Sequence, residues 1–201
     1  EVDSDLKAAA RLLSGVEGED MRPRLTAAAE ALNRYDSRAG RGLAATPDKL
    51  AKLQAQAVLF ADWAEADRID LSVQINQDIV EWPASRTDIE TFYGAKARAH
   101  VAQQMLVAAR LSEPRLARLP AVSAAFDRAE LAWGRAAQMK PLVVSNQSGD
   151  GPFMANHLAS IGFHLGEAQD ASRNLADLLG DVPEGALENI AGLETRLAAA
   201  P

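Results

Sequence analysis

His164 and Glu167 form the pair of residues whose types and spacing point most directly to chemistry in this chain. Residues three apart lie on the same face of a helix, so an imidazole nitrogen and a carboxylate could both reach one metal ion. Helical bundles assemble such ligands from side chains on facing helices. The pair therefore predicts a site for a divalent metal. The alternative is that Glu167 is solvated and His164 flanks an apolar seam.

The run from Gly162 to Glu167 also resembles the G-x-H-x-x-E signature of imelysin-like proteins of the bacterial envelope. The resemblance covers this run alone, and it implies a helical bundle associated with iron or haem uptake. This alternative assigns a divalent metal or haem as cofactor, whereas the main interpretation assigns no cofactor.

Three arginines, Arg34, Arg38 and Arg41, follow one another at spacings of four and three beside Tyr35. This spacing aligns the guanidinium groups on one helix face, and arginine is the preferred side chain for bidentate capture of carboxylate or phosphate. The pattern predicts that Arg34, Tyr35 and Arg38 bind a small anionic ligand. The alternative is a solvated helix C-terminus, where the macrodipole favours cations.

Glutamines such as Gln74 and Gln103 interrupt apolar stretches. Because buried polar groups must find partners, they predict a hydrogen-bond network or a ligand cavity, and we assign both residues to the ligand site. Alternatively, these glutamines specify the register in which the helices pack.

A cluster of acidic residues is predicted to form a solvated face, with pairing to arginines or binding of a cation as alternatives. Its members are Asp62, Glu65, Asp67, Asp70, Asp78 and Glu81.

These residues must be held by helices. The chain is 48% hydrophobic but only 5% aromatic, and alanine, the best helix former, fills the gap. Hydrophobic residues recur at helical spacing, which predicts an all-α fold. Short links between long helices favour an antiparallel, up-down bundle of four long helices with shorter terminal ones. The four long segments are predicted from Thr46 to Trp82, from Ser85 to Leu111, from Pro114 to Pro141 and from Leu158 to Leu179.

We predict a single domain over residues 1–201, with an N-terminal helical segment at 1–42, a four-helix core at 46–180 and a C-terminal helix at 183–201. The sequence marks several of these boundaries. Thr46-Pro47 is typical of a helix start, Ser85-Arg86-Thr87-Asp88 predicts a capping box, and Gly40 and Gly42 predict a helix end. A coiled-coil-like seam is predicted in the last long helix. It comprises Leu158, Ile161, Leu165, Ala168, Ser172, Leu175 and Leu179.

The net charge of −7 argues against nucleic acid or anionic membranes as partners, and the absence of cysteine excludes disulfides and thiol catalysis. No apolar run is long enough to span a bilayer, so a membrane would be reached only through segments outside this chain. The opening Glu1-Val2-Asp3-Ser4 is interpreted as a processed or excised start. No local motif nominates a nucleophile with its base, so no catalytic residue is predicted and the chain is not expected to be an enzyme.

These observations favour a periplasmic or otherwise extracytoplasmic, non-enzymatic sensor domain of a bacterial receptor or sensor kinase. It would bind a small molecule and could form a homodimer or bind a partner protein. A structural or scaffolding bundle without a small ligand, acting through the seam from Leu158 to Leu179, is a further alternative.

Overall fold

The computed structural model describes residues 21–44, 48–76, 84–146, 156–183, 185–187 and 189. Over these residues the chain is helical and contains no strand, which confirms the all-α prediction. The helices are α1 (Met21–Ala39), α2 (Lys49–Ile75), α3 (Arg86–Ser112), a 3₁₀ helix (Pro114–Arg118), α4 (Pro120–Gln138) and α5 (His157–Gly180).

The chain divides into two compact units, residues 1–48 and residues 49–201. The boundary falls just inside the predicted four-helix core, and the prediction of one domain over 1–201 stays a prediction. In the N-terminal unit, α1 buries Ala28 and Ala31, which lie one turn apart. Leu25 and Leu32, which lie three and four residues from Ala28, are exposed at the edge of this alanine face.

The C-terminus of α1 is closed by a Schellman motif. The amide of Leu43 donates to the carbonyl of Arg38 at 2.8 Å, and the amide of Gly42 donates to the carbonyl of Ala39 at 3.0 Å. Gly42 has a φ of 69°, a left-handed conformation that glycine adopts without steric cost. The prediction that glycine ends this helix is confirmed.

The start of α3 is closed by the predicted capping box. The amide of Asp88 donates to Ser85 Oγ at 3.0 Å, and the amide of Ser85 donates to a carboxylate oxygen of Asp88 at 3.2 Å. The Asp88 side chain therefore takes the role that glutamate usually has in this motif. The predicted helix start at Thr46-Pro47 lies outside the described residues.

Two helix bounds differ from the prediction. Helix α2 ends at Ile75 rather than Trp82, and the side-chain amide of Asn146 caps its last turn by donating to the backbone carbonyl of Gln74 at 2.9 Å. The segment predicted to restart at Pro114 is divided into the 3₁₀ helix and α4, because Pro120 at the first position of α4 has no amide to continue the preceding turn. Residues 77–83 lie outside the described part of the chain.

The core of the C-terminal unit is where α2–α5 meet: α2 packs on α5, α5 on α4, α4 on α3, and α3 on α2. Every residue of the predicted seam in α5 is buried. The seam thus packs against helices of its own chain, and a partner could not use it without displacing them. Trp133 of α4 is fully buried, and its indole donates to Ser172 Oγ at 2.9 Å.

Two of the three tryptophans lie in the core or at its rim. The ring of Phe60 lies 6.2 Å from that of Trp133 and 5.6 Å from that of half-buried Trp63. Trp82 lies outside the described residues. These three rings thus lie together in one part of the core, and alanines make up much of the rest.

Candidate functional site

The three arginines of the predicted stripe line a concavity at the C-terminal end of α1. Arg34, Arg38 and Arg41 surround a space of about 570 Å³ together with Asn33 and Ser37. The Nε atom of Arg41 donates to the carbonyl of Ser37 at 2.9 Å, which orients that guanidinium along the helix. Arg34, Tyr35 and Arg38 each make further interactions in the structure. The structure therefore brings the three arginines of the predicted stripe to the same cavity, together with Asn33 and Ser37. Tyr35, which is also predicted to bind the anion, does not line this cavity.

The two glutamines assigned to the ligand site belong to the C-terminal unit, and each meets neighbouring protein groups. The backbone carbonyl of Gln74 accepts the hydrogen bond from Asn146 that caps α2. Gln103 lies against α4, where a Cβ added at Gly134 would come within 2.6 Å of its Nε2 atom. Gly134 thus makes room for the Gln103 amide. Neither glutamine lines the concavity on α1.

His164 and Glu167 lie side by side, as their spacing predicts. His164 Nδ1 is 3.2 Å from one carboxylate oxygen of Glu167, and Arg135 of α4 donates to both oxygens at 3.2 and 3.3 Å. The hydrogen bond from His164 and the Arg135 cation lower the pKa of Glu167. A metal at this carboxylate would have to displace Arg135.

The surroundings of this pair are polar and internally paired. Glu167 and Arg135 line a groove of about 330 Å³ between α4 and α5, in which Arg128 donates to Asn174 at 3.0 Å. Over the described part of the chain, no cluster of three or more His, Asp or Glu side chains could hold a metal ion. The metal assignment of His164 and Glu167 stays a prediction, and so does the haem alternative.

The other two histidines differ in environment. His100 is exposed on α3. His157 begins α5, and its Nδ1 atom accepts a hydrogen bond from the amide of Ser145 at 3.2 Å while its own amide donates to the Ser145 carbonyl at 2.9 Å. Burial lowers the pKa of His157, which favours the neutral ring whose nitrogen can accept this hydrogen bond. This exchange holds the loop at Ser145 against the start of α5.

The acidic residues of α2 do not form the predicted solvated face throughout. Asp67 is only 1% exposed and makes a bidentate ion pair with Arg98 of α3. Burial raises the pKa of Asp67, while the Arg98 guanidinium lowers it. Asp62 and Asp70 are exposed as predicted, and Asp78 and Glu81 lie outside the described residues.

Glu65 of α2 belongs to a polar network with α5, in which its pairing with an arginine was one of the predicted alternatives and its contact with Gln169 was not predicted. Buried Gln169 donates to Glu65 at 3.1 Å and accepts from Arg68 at 2.6 Å, while Arg173 donates to Glu65 at 2.6 Å. Glu65 and Gln169 are 104 residues apart in sequence. No local sequence pattern can therefore reveal their contact. This network sets the register between α2 and α5.

A cluster that sequence reasoning missed centres on Glu113, just after α3. Its carboxylate is 3% exposed and accepts from Arg115 at 2.5 and 2.6 Å and from Lys49 at 3.2 Å. Arg115 also donates to the carbonyl of Leu187 at 3.2 Å. The pKa of Glu113 is lowered from 4.5 to about 2, mainly by the hydrogen bonds from Arg115 and to a smaller extent by the hydrogen bond from Lys49. Two lysines in the first turn of α2, where acidic residues are usual, are the one local signal of this site.

Glu113 should make the protein acid-sensitive. Its pKa is lower in the folded chain than in the unfolded chain, so its stabilisation is complete above pH 4.5 and is lost as the pH falls towards 2. A shift of this size corresponds to about 3 kcal/mol. We expect Glu113→Gln to remove that part of the pH dependence when the free energy of unfolding in urea is measured between pH 7 and pH 2.5.

The matched control is Glu90→Gln. Glu90 pairs with Arg86 one turn away on α3, but both side chains are more than half exposed, and exposed pairs of this kind contribute little. An acid profile that is the same in the Glu113→Gln variant and in the unmodified chain would contradict the prediction.

Comparisons with models of known protein families, with curated proteins and with solved structures find no match to this chain. The resemblance to imelysin-like proteins therefore has no support beyond the short run from Gly162 to Glu167. Within the described ranges, no helix combines the length and apolar character needed to cross a membrane.

Proposed function

We propose that this chain is a non-enzymatic ligand-binding domain of the kind found outside the cytoplasm in bacterial receptors and sensor kinases, and that it binds a small anion on α1. The observation that carries the proposal is the convergence of Arg34, Arg38 and Arg41 on one concavity of about 570 Å³. That volume lies in the range of small-molecule sites, about 300–1,000 Å³.

The chemistry of the concavity suits a carboxylate or a phosphate. A guanidinium carries five N–H donors in a fixed fork and matches the two oxygens of such a group. Arg34 and Arg38 can therefore make their other interactions and still donate to a ligand. Asn33 and Ser37 add neutral hydrogen-bonding groups at the same cavity. The three cations also lie close together in a chain whose net charge is −7, so the site contrasts with the rest of the surface.

The proposed architecture is an up-down bundle of the four long helices α2–α5. The pairwise packing of α2 on α5, α5 on α4, α4 on α3 and α3 on α2 supports it. In such a bundle, a ligand-dependent signal would travel as a small shift between packed helices. The polar contacts between α2 and α5 through Gln169 would resist a change of register between those two helices.

Anion binding can be tested by calorimetric titration of the intact chain with citrate and with inorganic phosphate. We expect at least one of these anions to saturate a site, and the variant Arg34→Gln/Arg38→Gln to weaken its binding at least tenfold, because two charge-assisted hydrogen-bond donors are lost. Arg22→Gln is the matched control, since Arg22 is an exposed arginine of α1 that does not line the concavity.

Equal binding by the double variant and by Arg22→Gln would overturn the proposal, as would the absence of saturable binding for either anion. The compartment is tested separately, by fractionating cells that express the native gene. Recovery of the protein only in the cytoplasm would exclude the extracytoplasmic part of the proposal.

A further inference from the structure

A groove between α2 and α3 has the features of a second ligand site. Its volume is about 540 Å³, and it is formed by the first turns of α2 and the last turns of α3. Leu53, Met105 and Ala108 provide apolar surface along it, and Lys49 and Lys52 lie at the α2 end with Glu113 opposite. An apolar surface next to a few convergent polar groups is typical of small-molecule sites.

The positive charge in this groove exceeds the negative charge. Glu113 is the single acidic residue of the lining, and Arg115 already engages both of its oxygens. Lys49 donates one N–H to Glu113 and has two other N–H donors, because an ammonium group carries three. Lys52 has no ionic partner within the part of the chain that the structure describes. The lysine end of the groove is therefore complementary to an anion.

The apolar part of the groove is open to solvent. Met105 is 38% exposed and Ala108 is exposed near it, whereas Ala109 is buried at the inner edge of the groove and Ala102 and Leu106 are buried in the core. Helix α3 is thus apolar on its core face and on the face that meets the groove. A hydrocarbon chain lying there would cover exposed apolar surface, which is favourable.

We infer that this groove binds a small amphipathic carboxylate. The carboxylate group contacts Lys52 and Lys49, and the hydrocarbon chain lies on Leu53, Met105 and Ala108. The site is separate from the arginine cluster of α1 in its residues and in its ligand chemistry. It requires an apolar tail, whereas the arginine cluster requires charge alone.

Decanoate, held below its critical micelle concentration, is the probe. Calorimetric titration of the intact chain should show one saturable site that binds decanoate at least tenfold more tightly than decanol, because decanol lacks the charge. Lys52→Met should weaken decanoate binding about tenfold, and Ala108→Glu should abolish it by placing a carboxylate beside the tail. Circular dichroism should show unchanged helix content in both variants.

Lys96→Met is the matched control, because Lys96 lies on α3 near the Tyr93 ring and does not line the groove. Decanoate binding should be unchanged in this variant and in Arg34→Gln/Arg38→Gln, so the two proposed sites can fail independently. Equal affinities for decanoate and decanol, equal loss in Lys52→Met and Lys96→Met, or no saturable binding to the unmodified chain would overturn the inference.

Discussion

Replacing Arg98 by alanine is expected to lower the free energy of unfolding by about 3 kcal/mol at pH 7. The substitution removes the one partner that the Asp67 carboxylate has among the described residues, and it leaves the charge of Asp67, which is 1% exposed, inside the protein. An uncompensated buried charge costs several kcal/mol. Because the Arg98 side chain is itself 47% exposed, water can enter the vacated space, and the expected loss lies at the lower end of the usual range.

The effect should depend on pH in a defined direction. Burial raises the pKa of Asp67 and Arg98 opposes this, so removing Arg98 raises that pKa further. The loss is therefore complete at pH values above the folded pKa, and it shrinks as the pH falls through that pKa towards 3.8, the ordinary value for aspartate. Urea unfolding at pH 7, 5.5 and 4 measures this change.

The second substitution Asp67→Asn in the Arg98→Ala background serves as the control. It removes the buried charge and should restore most of the lost stability, because the neutral amide costs less to bury than a carboxylate. If the double variant is as unstable at pH 7 as Arg98→Ala alone, the loss comes from packing of the arginine and not from the buried charge.

Replacing Trp133 by alanine is expected to cost about 3–5 kcal/mol, the usual range for deleting a large buried aromatic side chain. Trp133 is fully buried, packs edge-on against Phe60, and donates to Ser172 inside the core. Alanine loses all three interactions and leaves a cavity. The neighbouring core positions on α4 are alanines, which have no side-chain length with which to fill it. Thermal and urea unfolding both measure the loss.

Trp133→Phe separates the hydrogen bond from the packing. Phenylalanine keeps most of the ring volume but leaves the hydroxyl of Ser172 without its donor, so a smaller loss of about 1–2 kcal/mol is expected. Equal losses for Trp133→Phe and Trp133→Ala would show that the hydrogen bond, and not the filled volume, dominates at this position.

Local features of the helices could be predicted well because their physics involves residues close in sequence. The Ser85–Asp88 capping box joins residues three apart, and Gly42 ends α1 through its own left-handed conformation. The α5 seam follows from a spacing of three and four residues, and all of its members are buried. Helix ends set by tertiary contacts could not be predicted in this way. Helix α2 ends early at Ile75, where Asn146 caps it from 72 residues away.

The same distinction between local features and tertiary contacts applies to the candidate sites. Arg34 and Arg38 lie on α1 and Arg41 lies in the turn just after it, so their spacing alone predicts that they share a surface, and all three line one concavity in the structure. Gln74 and Gln103 were assigned to the ligand site because they interrupt apolar runs, yet that pattern does not distinguish a cavity from a helix interface. Gln103 packs on Gly134, and Gln74 contributes its backbone carbonyl to a cap.

By itself the sequence determined that this protein is all-helical, where several of its helices begin and end, and which residues of α5 face the core. Each of these depends on the periodicity and end chemistry of a single helix. The tertiary structure alone decided that Asp67 is buried against Arg98, that Gln169 joins α2 to α5, and that Glu113 meets Lys49. These contacts join residues 31, 104 and 64 positions apart. The sequence around a charged residue is the same whether that residue lies on a solvated face or in a buried ion pair. Only the packing of a second helix against it decides which of these occurs.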